Sequence, residues 1–484
     1  MTESAPVRSN SPVAGLGRAR LTFAQVLAQS VSAVAPSAVM VTVPALVIPD
    51  AGGATVAVFA AAALLMTMVG YCIGQFAQRM VAVSGLYSYV AKGLGALPGI
   101  WAGWSLSLGY AAAAMASVLG AASYTTVLLG RLGLPTGALT FVALSMLVGL
   151  VAVVLMIRGV RFSTRVTLAV EVFAIIVASA VLAVMFVQSV DGPPVSRAPP
   201  EANGSAHIGF VALLVITSFV GFESAGTVAR EARSPLTAVP RAIRWTPLAL
   251  GVLYTGAAVA QLPAPVQQND MLAIVLTLPD SSGGAATALS ILMELGITAS
   301  WLACVLGSTT ALSRIMFAMG REGVLPAALG RTHTRFHTPH IALIAVMPVI
   351  VAVPVFNQLL VGSTREVLVG LLTVSAHGYV VAYILACVAT PCFLRRIGEL
   401  TVLPTVVSAG AATILSALVL WSAFSTTHTA GVGTGVYAAL VASGFAIVMI
   451  RSRSRSGILD RVGVYDETVA DDLAVGHRPW EVRR

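Results

Sequence analysis

Apolar residues in this chain run on in long uninterrupted stretches separated by short polar segments, with no sustained alternation that would suggest strands. A stretch of about 18 or more apolar residues is long enough for a helix to cross the hydrocarbon core of a bilayer. Such stretches fall near residues 21 to 48, 54 to 76, 98 to 129, 137 to 157, 165 to 189 and 207 to 230. Six more follow, near 244 to 262, 287 to 319, 340 to 356, 366 to 391, 402 to 425 and 431 to 450. The pattern predicts an all-α membrane protein of twelve transmembrane helices, flanked by polar tails at 1–20 and 451–484.

The basic residues test that count independently. With the N-terminus placed in the cytoplasm, 25 of the 28 Lys and Arg residues fall in cytoplasmic segments, and only Arg131, Arg197 and Arg365 fall outside. Cytoplasmic loops carry such an excess, and a missed or invented span would scramble the alternation downstream. The expected location is the cell (cytoplasmic, inner) membrane, with both termini cytoplasmic. The net charge of +9 then reports topology and calls for no nucleic-acid partner. The run Arg451-Ser-Arg-Ser-Arg455 could also touch anionic headgroups of the lipid bilayer. The first twenty residues lack the apolar core and small-residue cleavage site of a signal peptide, so none is expected to be removed.

Composition agrees: 57% of residues are hydrophobic, 10% are charged, and the mean hydropathy is +0.91. Cys72, Cys304, Cys387 and Cys392 lie in or at the ends of spans, in no zinc or redox spacing, and are expected to pack as small apolar residues. His333, His337 and His340 lack nearby acids or cysteines, so neither a metal nor a cofactor is expected.

Two spans carry a defect at their centre. In the first, Val31-Ser-Ala-Val-Ala-Pro-Ser37 puts Pro36 mid-segment, where it removes a backbone donor and crowds the preceding turn. In the sixth, Thr217-Ser-Phe-Val-Gly-Phe-Glu-Ser-Ala-Gly226 sets a carboxylate among glycines and serines. A carboxylate near mid-bilayer costs roughly 3 kcal/mol, so Glu223 is expected to face a cavity or a partner rather than lipid. Interrupted spans at corresponding places in two halves suggest a secondary transporter.

The halves run in parallel. Counted from Val34, the third and fifth spans begin 64 and 131 residues later; from Gly221, the eighth and tenth begin about 66 and 145 later. The reading is two repeats of five helices, 21–189 and 207–391, with helices 11 and 12 at 402–450 outside them. An odd repeat inserts its second copy upside down, which sets the two breaks side by side.

The chemistry expected there is that of bare peptide groups. Pro36 would open the outer half of helix 1 and leave the amides of Ser37, Ala38 and Val39 without internal partners, suited to a substrate carboxylate. The outer half of helix 6, ending near Thr217 to Val220, would offer carbonyls and a negative dipole end to an ammonium group. Val34, Ala35, Ser37, Ala38, Val39, Thr217, Ser218, Phe219, Val220, Gly221 and Phe222 are the candidate substrate-binding residues. Phe219 and Phe222 either close over a bound side chain or simply pack in the bundle. Glu223 is the first candidate for proton coupling, because a carboxyl in low dielectric titrates closer to neutrality. Glu171 is the second, or else reaches water or an arginine. Glu294 is a candidate contact for a substrate cation. No Lys or Arg is expected at comparable depth, and His377 is expected to be a packing residue.

With these residues in hand, the chain resembles the amino acid-polyamine-organocation superfamily of permeases over about residues 20 to 450. The matching motifs are Ser218-Phe-Val-Gly-Phe-Glu-Ser224, Glu231-Ala-Arg-Ser-Pro235, Pro240-Arg-Ala-Ile243, Gly85-Leu-Tyr-Ser-Tyr89 and Arg321-Glu-Gly-Val-Leu-Pro326. The resemblance implies a leucine-transporter fold of ten core helices plus two, alternating access, and amino acids or related amines as substrates. It also implies that backbone around Ala35 to Ala38 and Thr217 to Phe222 contacts substrate. Three departures stand out: Ala35-Pro-Ser-Ala38 replaces a glycine-rich break, Thr217 stands where some members carry an aromatic gate, and Arg230 replaces an acid common before Glu231. Some proton-coupled members place a lysine in helix 5; this chain has none there, and its acid in that helix is Glu171.

The expected function is proton-coupled amino-acid uptake, with amine transport or exchange as the alternative. An ATP-driven pump is set aside, because the chain's single lysine, Lys92, lies in no phosphate-binding loop. An enzyme lacks a nucleophile set around His377. A nutrient sensor on a permease scaffold would need an output domain larger than the 34-residue tail at 451–484.

Overall fold

The computed structural model describes residue 16 and residues 21–158, 160–191, 205–263, 283–423, 428–454 and 457–463. Most of the two tails, and the expected external loop at 191–200 beyond Asp191, lie outside the described residues.

The first apolar stretch folds as two helices, α1 (Phe23–Val34) and α2 (Pro36–Ala51), with α1 opened by Gln25 reaching back to the Thr22 amide at 3.0 Å. Then come α3 (Ala54–Ala77), the short α4 (Leu86–Leu94), α5 (Ala96–Arg131), α6 (Ala138–Arg158) and α7 (Val160–Asp191). The sixth stretch is α8 (Ser205–Thr217), a four-residue turn, and a 3₁₀ segment, Phe222–Glu231. After it run α9 (Pro235–Gln261), α10 (Gly283–Glu322), α11 (His340–Val361), α12 (Thr364–Arg396), α13 (Val402–Ala423) and α14 (His428–Ser454). Among the described residues there is no strand; an isolated bridge joins Leu21 and Ala232.

Eleven of these segments are long and apolar enough to cross a membrane. The twelfth expected span is α9, which is not among the eleven: Arg241, Arg244 and two in-helix prolines make its first half more polar than a spanning helix. It also begins at Pro235, nine residues before the apolar stretch near 244 that hydropathy picks out. Hydropathy likewise missed α4, which is too short to span; Tyr87 on it donates a hydrogen bond to Glu322 at the end of α10.

The centre of the bundle is α5, which lies along α10 and α12, while α3 lies along α9. Lipid offers no hydrophobic drive for helix association, so close packing of small residues carries it. At the α5–α12 crossing a Cβ on Gly378 would stand 2.5 Å from the Gly109 amide nitrogen. Ser105 and Ser375 seal the same crossing, donating to the Gly378 carbonyl at 2.9 Å and the Gly109 carbonyl at 3.1 Å. Gly307 on α10 meets the end of α1 in the same way, with room for no Cβ within 2.6 Å of the Ala33 nitrogen.

Candidate functional site

Both expected interruptions are present. Ala35 takes a left-handed conformation, φ 55°, between α1 and α2, and Pro36 opens α2 at a position that needs no amide donor. For a residue with a Cβ that conformation costs about 1–2 kcal/mol, so the surrounding packing must hold it. In the sixth stretch α8 stops at Thr217, and Gly221, φ 103°, starts the 3₁₀ segment.

The breaks lie against one another. Ser30 donates to the Phe222 carbonyl at 2.6 Å, Ser224 donates to the Gln29 carbonyl at 3.1 Å, and a Cβ on Gly221 would stand 2.8 Å from the Ala33 carbonyl oxygen. All eleven candidate substrate-binding residues are buried here, from Val34 to Val39 and from Thr217 to Phe222.

The three carboxylates found by sequence have different surroundings. Glu223, 1% exposed, accepts from the Tyr110 hydroxyl at 2.8 Å, the Tyr383 hydroxyl at 2.6 Å and the Gly221 amide at 3.2 Å. It therefore joins the sixth-stretch break to α5 and α12. Glu171, on α7, neither reaches water nor meets an arginine: it is 1% exposed, and its Oε1 accepts from the Ser37 amide at 2.8 Å and the Ser300 hydroxyl at 2.9 Å. Glu294 is paired, with its Oε1 2.8 Å from Nε of Arg131. Arg131 was expected outside the membrane interior; its long side chain reaches back from the end of α5 to a fully buried acid.

The amides at the start of α2 are more fully used than expected. The Ser37 amide is taken by Glu171, the Ala38 amide donates to Ser300 Oγ at 3.3 Å, and the Val39 amide donates to the Ala35 carbonyl at 3.0 Å. At the end of α8, the carbonyls of Leu214, Val215 and Ile216 accept from the Thr217 hydroxyl and from the amides of Ser218 and Phe219. Phe219 packs edge-on against Tyr254, and Phe222 lies tilted against Tyr383, both with no exposure. His377 is a packing residue, with Nδ1 2.8 Å from the Thr373 carbonyl oxygen. Among the described residues, no group of acids, histidines or cysteines could hold a metal ion.

Sequence reasoning missed Tyr110, Tyr254, Ser300 and Tyr383. The spacing of Tyr379 and Tyr383, four apart on one helix face, was the available sign that α12 turns hydroxyls inward.

At one end of the bundle the chain is tied shut. The Leu21 amide donates to the Glu231 carbonyl at 2.7 Å, and the Arg233 amide donates to the Leu21 carbonyl at 2.9 Å. Arg314 on α10 meets the Glu231 carboxylate at 2.5 Å.

A model of the amino acid permease family matches residues 21–396, so the chain belongs to that family, as its resemblance to the amino acid-polyamine-organocation superfamily implied. It is a multi-pass membrane protein of a transporter family. The branched-chain amino acid permease BcaP of Bacillus subtilis is 28% identical over 301 residues, 59% of this chain and 63% of its own length. The methylthioribose transporter of the same organism is 26% identical over 306 residues, 60% of this chain and 64% of its own. The low-affinity putrescine importer PlaP of Escherichia coli is 24% identical over 305 residues, 60% of this chain and 64% of its own. The chain thus spans less than two thirds of the length of these relatives.

Proposed function

We propose that this chain is a secondary active transporter that takes up amino acids or related amines by alternating access, coupled to protons. The observation that carries the reading is the pair of abutting helix breaks with the Glu223 carboxylate held at their junction. Two helices that are each already broken can swing their halves without breaking backbone hydrogen bonds in the membrane. The packing of α3 on α9 and of α5 on α10 supports the division into repeats 21–189 and 207–391, because these are the second and third helices of each. Placement in the cytoplasmic membrane with both termini inside rests on the basic residues.

Glu223 can carry the proton. A carboxylate accepting three hydrogen bonds is stable when charged, yet it is buried, and a change in those donors as the halves move would alter its hold on a proton. Uptake of a panel of labelled amino acids and amines into proteoliposomes, with and without an inward-acid pH gradient, tests the proposal. Accumulation driven by the gradient is expected; uptake indifferent to it removes the coupling, and no uptake of any compound removes the transport reading.

Names of relatives do not fix the substrate, since those at similar identity are named for a branched-chain amino acid, putrescine and methylthioribose. The amine alternative is favoured by Glu171.

A further inference from the structure

The first turn of α2 is the part of the site best suited to an anion, because its amides point away from the helix and its dipole is positive. It already holds one. Glu171 on α7 presses Oε1 against the Ser37 amide at 2.8 Å, and Ser300 on α10 bridges that oxygen to the Ala38 amide, at 2.9 and 3.3 Å. A substrate carboxylate would have to take those same donors from a tethered competitor.

The other carboxylate oxygen, Glu171 Oε2, is buried with no hydrogen-bond partner within bonding distance, and the neighbouring donor at the site, the neutral Ser37 hydroxyl, is buried without one as well. So is the hydroxyl of Tyr254 on α9, whose ring packs against Phe219 in the sixth-stretch break. The hydroxyl of Ser218, in the turn that breaks the sixth stretch, is also buried and unpartnered. A buried acceptor without a donor is costly, and a carboxylate oxygen is better satisfied by a cationic N–H than by a neutral one. Of the three acidic candidates, Glu223 is filled by two tyrosines and an amide, and Glu294, whose Oε2 is also without a hydrogen-bond partner, has its charge met by Arg131; Glu171 combines an open acceptor with no ion pair among the described residues.

We propose that Glu171 is a specificity-determining residue that fills the carboxylate position at the start of α2 and turns it into a binding point for an ammonium group, so that the substrate is an amine without an α-carboxylate. The inference rests on the transport reading above and narrows its substrate class. Charge complementarity then does the selecting. An ammonium meets Oε2, whereas an α-amino acid brings its own carboxylate against Oε1.

Matched pairs that differ only in the carboxylate test this: isoamylamine with leucine, and cadaverine with lysine, each labelled, in proteoliposomes holding the full chain. Wild type is expected to favour at least one amine over its parent amino acid by about tenfold, the scale of one hydrogen bond to a charged group. Glu171→Ala frees the Ser37 amide and should move that ratio toward the amino acid by about tenfold. Glu171→Gln, which keeps the shape and an acceptor over Ser37 but not the charge, should cut amine uptake without raising amino-acid uptake; it carries the test if the alanine variant does not fold. Preference of wild type for leucine or lysine, a ratio unmoved in Glu171→Ala, or undiminished amine uptake in Glu171→Gln overturns the inference while leaving the permease reading standing. Uptake of none of the four compounds also overturns the inference, while the permease reading is decided by the wider panel above.

Discussion

The decisive groups in this protein are buried carboxylates, and what each does follows from the donors around it. Glu223 is held by two tyrosine hydroxyls and one amide. Glu223→Gln keeps the volume and removes the titratable proton, so uptake driven by a pH gradient should be lost, while exchange of labelled for unlabelled substrate at equal pH on both sides persists. Gradient-driven accumulation at the wild-type level would dismiss Glu223 as the coupling group. Tyr383→Phe deletes a 2.6 Å bond to the same carboxylate. Hydrogen bonds to charged groups contribute about 1.5–3 kcal/mol, so the variant should melt at a lower temperature in detergent, as read by intrinsic fluorescence. An unchanged melting temperature would mean that this hydroxyl holds nothing.

At the scale of the element, the breaks in the first and sixth stretches are local in origin and tertiary in consequence. Pro36 and Gly221 end or restart helices through their own backbone chemistry, but the halves stay in place because neighbouring backbones approach closely. Gly221 combines a positive φ with a carbonyl 2.8 Å from where its Cβ would lie, and that carbonyl belongs to backbone that cannot rotate aside. Gly221→Ala should therefore cost more than about 2 kcal/mol, combining overpacking with a disfavoured conformation. The expected result is a sharply lowered melting temperature or failure to accumulate in the membrane; wild-type melting would show that the two breaks are not in contact. Gly74 is a useful contrast, since a Cβ there meets nothing within 4 Å, and Gly74→Ala should be tolerated or mildly stabilising in mid-helix.

For the molecule as a whole, the described arrangement is one closed at the end where Leu21 bonds to Glu231 and Arg233. Arg314 and Glu231 lock that end, with side chains 3% and 16% exposed. Removing one partner of a buried ion pair costs about 3–5 kcal/mol, and the partial exposure of Glu231 brings this pair below that range. In Arg314→Ala the lost contact falls only on the conformation in which this end is shut, so the balance should shift toward opening. A cysteine at Ser218, in a background without the native cysteines, should then react faster with a water-soluble maleimide added from the side this end faces, which in the proposed orientation is the cytoplasmic side reached in inside-out vesicles. Equal rates with and without Arg314 would show that the pair does not hold the end closed.

Much of this was legible in the sequence. Apolar length gave the spanning segments, because a backbone in lipid must satisfy its hydrogen bonds within its own helix. Proline and glycine placed both breaks, because their effects on φ and on the amide act within a turn. α9 was legible only in its second half, since arginines and prolines in the first half dilute its hydropathy without stopping the helix. What the carboxylates bond to was decided by the tertiary structure alone. Glu171 meets an amide 134 residues away, and Glu223 meets hydroxyls 113 and 160 residues away. Hydropathy reports where a residue lies along a helix axis, whereas these bonds depend on how far each helix is rotated about that axis, which only packing against its neighbours fixes.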